Sequence, residues 1–438
     1  MRTVCIVGLW HQGIVAAACL ARCGVRVRAM DPDAERIAML QSGRSPIFEP
    51  GLDDRIAEGL QGGLLSFSSD LAGSVDGVSD ILLMLDTPVD ENDQGDLSGL
   101  WRLIEQMAPL LGEKPVLYVT AQVPVGTCEK IALKIRDLRP GLGLGIAYSP
   151  ENLRLGQAME RFMKPALPVI GADEDWVFDR VVAMLAPLGV VPWMRVPVKA
   201  AEMTKHALNA FLATCVTFGN ELGNLCDETG VDAVSVVKAL RMEERVGPKA
   251  MLMPGLGFSG GTLARDVQTL RAIGKRQHLE TPMLDGIWSA NLRQNGVVKR
   301  KMLKLFGNLE GVTVAVLGLT YKPGTSTLRR SASLAVIADL VAAGAVVTGH
   351  DPKADASELA MHPEFTFMRD VYAAVQGRQA LILMTAWTDY RDLDMERVRG
   401  AMGARPVVLD TANLWDSGTM DRLGFRYHDI GRGRKIEG

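Results

Sequence analysis

Twelve residues, Gly255-Leu256-Gly257-Phe258-Ser259-Gly260-Gly261-Thr262-Leu263-Ala264-Arg265-Asp266, combine four glycines, an aromatic ring, two hydroxyls and a carboxylate. Glycines let backbone approach a ligand closely. The strongest nucleophile in the stretch is only the Thr262 hydroxyl. Upstream, Lys205 and Asn209 lie four residues apart in a proline-free run and so share one helix face. A second glycine loop opens the chain. The apolar run Thr3–Val7 leads into Gly8-Leu9-Trp10-His11-Gln12-Gly13, and Asp31 ends the next apolar run. That is the frame of a dinucleotide site, in which amides at a helix N-terminus receive the pyrophosphate and an acid takes the ribose hydroxyls. Asp31 favours NAD over NADP because it would repel a 2′-phosphate; Arg36, close by, softens that preference. Trp10 replaces the middle glycine, and an indole there blocks the phosphates unless it turns outward or stacks on another part of the ligand. His11 reads as an exposed loop histidine rather than a phosphate contact.

The elements that must hold these residues are legible in outline. Strands are expected at Thr3–Val7, Val25–Met30, Asp80–Leu85, Pro115–Thr120 and Gly143–Tyr148, with a small-residue helix over Ile14–Arg22. Strands alternating with helices imply an α/β fold with a parallel sheet covered on both faces. From Val198 to about Thr229 the pattern changes to one long helix, with Met203, Ala207, Ala210, Phe211, Thr214, Phe218 and Leu222 at helical spacing. Its apolar stripe packs either within the chain or against a twin helix in a dimer. A second α/β unit follows, with strands at Val312–Leu317, Ala345–Gly349, Ala380–Met384 and Pro406–Leu409. The architecture expected is two doubly wound, Rossmann-like domains joined by a long central helix: 1–195, a central helical segment 196–300, and 301–438.

Composition narrows the function classes. A chain of 438 residues is too long for one ordinary core. Hydrophobic content of 47% with 23% charged residues is that of a globular protein, and a net charge of −3 advertises no nucleic-acid surface while leaving room for local basic pockets. The opening MRTVCIVGLW is too short for a signal peptide, and no stretch approaches the roughly 20 apolar residues of a membrane span. Cys5, Cys19, Cys23, Cys128, Cys215 and Cys226 form no CxxC pair and read as small core residues of a cytoplasmic protein. No cluster has metal-ligand spacing.

An ordered set of motifs spans nearly the whole chain. Ser45-Pro46-Ile47-Phe48-Glu49-Pro50-Gly51-Leu52 is followed by Thr87-Pro88 with Gly95-Asp96-Leu97-Ser98, then by Val123-Pro124-Val125-Gly126-Thr127 and Ser149-Pro150-Glu151-Asn152-Leu153-Arg154. Next come Ala201-Glu202-Met203-Thr204-Lys205 through Asn209-Ala210-Phe211, Asn220-Glu221, and Gly318-Leu319-Thr320-Tyr321-Lys322-Pro323 with Arg329. In this order they resemble the UDP-glucose/GDP-mannose dehydrogenase family. The resemblance implies an N-terminal NAD domain, a central dimerising helix and a C-terminal domain for the nucleotide of a UDP- or GDP-sugar. Such enzymes oxidise the sugar's C6 alcohol twice, trapping the intermediate aldehyde on a cysteine and hydrolysing the resulting thioester.

The same resemblance assigns roles. Lys205 and Asn209 stabilise negative charge on the C6 oxygen, as suits a cation and an amide donor. Asp266 works with the lysine on a water, and Glu151 serves acid/base steps. Arg245 (reaching across the dimer), the Gly257-Phe258 turn and Lys322 contact substrate. Gly8, Trp10, Gly13, Asp31, Arg36, Thr87, Gln122 and Arg329 fall on the cofactor side. Five departures accompany these matches: Thr262 at the nucleophile position, Arg265 for a lysine, Ala121-Gln122 for a serine-threonine pair, Leu155 for a glutamate, and Trp10 for glycine. A thiol near pKa 8.5 supplies some thiolate at neutral pH, whereas an alcohol supplies almost no alkoxide. The thioester step is therefore expected to be lost or severely slowed, leaving a divergent NAD-dependent dehydrogenase. The alternative is an inactive nucleotide-sugar-binding or regulatory homologue.

Overall fold

The computed structural model describes residues 2–88, 95–151, 153–154, 156–190, 192–258, 262–328 and 331–436. Its contacts divide the chain into two compact units, Met1–Leu208 and Asn209–Gly438. The first holds strands β1 (Thr3–Val7), β2 (Arg26–Met30), β3 (Leu65–Ser68), β4 (Asp80–Leu83), β5 (Val116–Val119), β6 (Gly145–Tyr148), β7 (Val169–Ala172) and β8 (Met194–Val196). They form one sheet in the order β3-β2-β1-β4-β5-β6-β7-β8. All neighbours run parallel except β6 and β7, a reversal that the expected all-parallel pattern missed. The central strand β1 reads as a continuous apolar run because helices cover both faces. Val4 and Ile6 enter one core while Cys5 and Val7 enter the other, the alternation a strand imposes.

Helix α1 (His11–Arg22) follows β1, and residues Gly13 through Ala21 of it are all buried. Helix α2 (Thr127–Leu138) follows β5. Helix α3 (Val198–Thr229) runs 32 residues without a break, as its lack of proline predicts, and the boundary between the units falls within it. The apolar residues expected along this helix differ in burial. Ala210 is buried in a core of the second unit, whereas Met203, Phe211 and Phe218 are exposed.

The second unit contains α4 (Leu263–Arg276), α5 (Pro282–Asn295), α6 (Val297–Phe306) and α7 (Ala332–Ala342). Its strands are β9 (Thr313–Leu317), β10 (Val346–His350), β11 (Thr366–Phe367), β12 (Ala380–Leu383), β13 (Val407–Asp410) and β14 (Arg426–Asp429). Their order, β11-β10-β9-β12-β13-β14, repeats that of the first six strands of the other sheet. The repetition extends to hydrogen bonds. Gly8 N–H donates to Met30 O and Gly318 N–H to His350 O, both at 2.9 Å. Leu9 N–H donates to Asp31 Oδ2 at 2.7 Å and Leu319 N–H to Asp351 Oδ2 at 2.8 Å. An aspartate ending the second strand thus pins the glycine turn after the first strand in each unit, though the sequences show no close repeat.

Five strands, β3, β7, β8, β11 and β14, lay outside the expected set. β3 alternates buried and exposed residues at an edge, β8 is three residues long and mostly exposed, and β11 spans only two. Such segments carry too little apolar periodicity to stand out.

Glu202 of α3 is fully buried and accepts from Gly126 N–H at 2.5 Å and Cys128 N–H at 2.8 Å. It thereby satisfies amides at the start of α2 that have no intrahelical partner. We predict that Glu202→Ala destabilises the protein by roughly 1–3 kcal/mol for each amide left unpaired, read from urea unfolding. Glu129→Ala, which removes an exposed ion pair with Lys199, is expected to change stability by less than about 1 kcal/mol.

Candidate active site

In the first unit the glycine loop is built for close backbone approach. Gly8 has φ +98°, and a Cβ there would lie 2.8 Å from Leu85 N. A Cβ on Gly13 would lie 1.9 Å from Gly8 O. These two positions therefore require glycine, whereas Trp10, at φ −90°, does not. The indole is 44% exposed, and the Arg36 guanidinium lies 5.3 Å from its ring centroid. Arg36 also pairs with Asp31 Oδ1 at 2.8 Å, so it contacts both Trp10 and Asp31. The turn, the amides opening α1 and the acid at the end of β2 fit a dinucleotide, and Trp10 does not disturb the backbone that would hold it.

His11 is not the exposed loop residue expected. Its Nε2 lies 2.7 Å from Glu49 Oε1. Glu49, only 4% exposed, also accepts from Gly156 N–H at 2.8 Å and Ala158 N–H at 3.2 Å. The cofactor-side loop is thus tied to the segment after β6. Nearby, Gln12 Nε2 donates to Thr120 Oγ1 at 2.7 Å, and Thr87 Oγ1 donates to the Gln122 carbonyl at 2.9 Å. Gln122 therefore meets Thr87 through its backbone. Lys205 is buried and its Nζ donates to the Glu151 carbonyl, while the Glu151 carboxylate accepts from Leu153 N–H. Gln12, Thr120 and Glu151 line a largely apolar pocket of about 70 Å³.

In the second unit, Asn209 Nδ2 donates to Asp266 Oδ2; the two residues are 2% and 0% exposed. Thr262 caps α4, one turn before Asp266, and its side chain is exposed. Its hydroxyl makes no capping hydrogen bond. A helix N-terminus favours an anion, and a thiol placed there is acidified; a hydroxyl at the same point is far too weak an acid to ionise near neutrality. No other sulfur compensates. Burial raises all six thiols above their ordinary range, Cys5 and Cys19 to about 12.

The turn before Thr262 is held by amide side chains that the sequence reading left without a role. Phe258 N–H donates to Asn291 Oδ1 at 2.7 Å, and Asn291 Nδ2 donates back to Phe258 O at 3.0 Å. Asn220 Oδ1 accepts from Gly255 N–H at 2.8 Å, and Gln294 Nε2 donates to Gly255 O at 2.6 Å. A Cβ on Gly257 would lie 2.1 Å from Asn295 Oδ1. The available signal was Asn291 and Gln294 three residues apart on one helix face. Arg245 projects outward, 88% exposed, and pairs with Glu243 at 2.8 Å. Lys322 is half-buried in the loop after β9. Arg329, Leu155 and the Ser259-Gly260-Gly261 segment lie outside the described residues.

Two mostly parallel sheets, each with a pinned glycine turn at the strand-order reversal, define a protein of the dinucleotide-binding α/β class. Comparison with known proteins narrows this. Residues 2–188 match the NAD binding domain of the UDP-glucose/GDP-mannose dehydrogenase family, 199–293 its central domain and 315–417 its UDP binding domain. The UDP-glucose 6-dehydrogenase of Pseudomonas aeruginosa is 34% identical, with 98% of each chain covered. That of Rhizobium meliloti is 32% identical over 98% of this chain and 99% of its own. A UDP-glucose dehydrogenase structure from Pyrobaculum islandicum superposes with TM-score 0.90 at 28% identity, covering 99% of this chain and 98% of that one. The chain belongs to the UDP-glucose/GDP-mannose dehydrogenase family, a family of nucleotide-sugar dehydrogenases, and its cofactor is NAD. Among the described residues no helix is long and apolar enough to cross a membrane.

We predict that Asn291→Ala, which strands a buried N–H and a buried C=O of Phe258, costs roughly 1–3 kcal/mol per group in urea unfolding. A loss below about 1 kcal/mol would show that this amide does not hold the turn.

Proposed function

We propose that the protein is an NAD-dependent oxidoreductase acting on a CH–OH group of a nucleotide sugar, without the thioester step of its relatives. The observation that carries this reading is Thr262 at the start of α4, with the buried Asn209–Asp266 pair retained one turn further on. The relatives' printed names make UDP-glucose the first substrate to assay, with UDP-N-acetylglucosamine and GDP-mannose beside it. NAD accepts the hydride when bound; Gly8, Gly13, Asp31, Arg36, Thr87 and Gln122 are the residues assigned to hold it. Lys205 and Asn209 stabilise charge on the substrate oxygen, Asp266 and Glu151 handle protons, and the Gly257-Phe258 turn, Arg245 and Lys322 hold the nucleotide sugar. The division into 1–195, 196–300 and 301–438 belongs to this proposal.

Incubation with UDP-glucose and NAD is expected to yield one NADH per sugar oxidised and no uronic acid, by absorbance and mass spectrometry. Thr262→Cys is expected to raise the yield toward two NADH per sugar, with uronic acid as product. Uronic acid from the unmodified protein would sink the proposal. A second reading, an inactive nucleotide-sugar binder, is favoured by the contacts of Arg36 with Asp31 and Trp10, which occupy groups otherwise available to the cofactor. Failure of NAD and NADH to bind at millimolar concentration would select it.

The homodimer expected from the long helix is supported by one exposed apolar stripe on α3, where Met203, Phe211, Phe218 and Leu225 are 37%, 66%, 52% and 65% exposed. The unmodified chain is expected to run as a dimer in light scattering, and Phe211→Asp with Phe218→Asp as a monomer. A monomeric parent at micromolar concentration contradicts this.

A further inference from the structure

A cleft of about 280 Å³ opens in the second unit between the end of α3, the corner joining α5 to α6, and the 434–436 segment. Arg293, Arg300, Lys301, Lys304, Arg434 and Lys435 all line it. The lining carries two carboxylates, Asp227 and Glu228. Lys301 lies 2.7 Å from Asp227 Oδ2 and Lys304 lies 2.7 Å from Glu228 Oε1. Arg434 spends two nitrogens on Asp421, at 3.0 and 2.8 Å.

The other three cations, Arg293, Arg300 and Lys435, have no carboxylate within ion-pair distance among the described residues. Arg300 donates instead to the main-chain carbonyl of Arg293. Burial, and then the neighbouring Arg293 charge, hold the Arg300 guanidinium below its ordinary pKa. A chain of net charge −3 thus gathers an excess of positive charge in one concave place, carried by the exposed side chains of Arg293, Arg300 and Lys435. Such an arrangement is unfavourable when empty and is relieved by an anion. Guanidinium forks match phosphate oxygens, and lysine adds a point charge.

We propose that this cleft binds a multiply charged phosphate anion, either a free diphosphate or the phosphate chain of a nucleotide. Three unpaired cations suit the several negative charges of such a group better than a single carboxylate. The volume admits a small anion and excludes a folded acidic partner. The cleft is remote from the residues assigned to chemistry on the same helix, since Asp227 follows Asn209 by 18 residues, about 27 Å along the helix axis. The proposal does not depend on the redox reading above.

Calorimetric titration of the full chain with sodium pyrophosphate, and separately with UTP, tests it. Saturable binding to the parent is expected, weakened tenfold or more in Arg293→Ala/Arg300→Ala and several-fold in Lys435→Ala. Arg293 and Lys435 are exposed, so the single variants Arg293→Ala and Lys435→Ala report even if loss of Arg300 disturbs folding. Lys130→Ala, on the surface of α2, is expected to bind as the parent does. Binding that the double variant weakens supports the site: equal affinity for the two ligands then assigns recognition to the phosphates alone, and tighter UTP binding adds a contact to the nucleoside. No heat from either ligand at millimolar concentration overturns the proposal. So does unchanged affinity of both ligands in the double variant.

Discussion

Buried polar side chains must find partners, and along α3 this requirement organises the parts of the molecule that matter for chemistry. Glu202 satisfies the first amides of α2, and Lys205 reaches the Glu151 carbonyl. Asn209 meets Asp266, Asn220 holds the 255–256 backbone, and Asp227 accepts from Lys301 and from Gly433 N–H. An apolar helix would pack with some tolerance of register. A helix carrying this many buried polar groups does not, because sliding or turning it would leave several unpaired at once. The cost of burying them is offset by a fixed placement of the loops they contact.

The paired glycine turns show the same economy in each sheet. Asp31 and Asp351 accept from the amide after the turn glycine, so a carboxylate at the end of one strand fixes the conformation of the loop leaving its neighbour. In the second unit the carboxylate also receives Thr320 N–H, the Thr320 hydroxyl and the Trp387 indole N–H. That loop carries Lys322. The two loops are thus rigid for one reason, while their different side chains suit them to different ligands.

Thr262 illustrates how much chemistry a single atom controls. The helix terminus beneath it and the acid one turn beyond both remain, and the turn before it is clamped by amides of α3 and α5. A sulfur at that point would be acidified by the helix terminus, whereas the Thr262 hydroxyl stays un-ionised near neutrality. The six thiols elsewhere are raised by burial and do not replace it. Hydride transfer from an alcohol uses no nucleophile on the protein, whereas a thioester requires a thiol.

The sequence by itself determined the fold class, the long helix and most central strands, because glycine punctuation and apolar runs report local backbone and two-sided burial. It also placed Gly8 and Gly13 in the first turn and Asp31 at the end of the next strand, since their spacing is a property of the chain. Edge strands such as β3 and β11, and the reversal at β7, escaped because their register is set by neighbours rather than by their own residues. Only the tertiary structure decided that Glu49 ties down His11, that Asn291 clamps Phe258 more than thirty residues away, and that cations from α5, α6 and the 434–435 segment converge on one cleft. Each joins residues distant in the chain. A side chain's type states what bond it can make, but the packed backbone selects the atom that answers it.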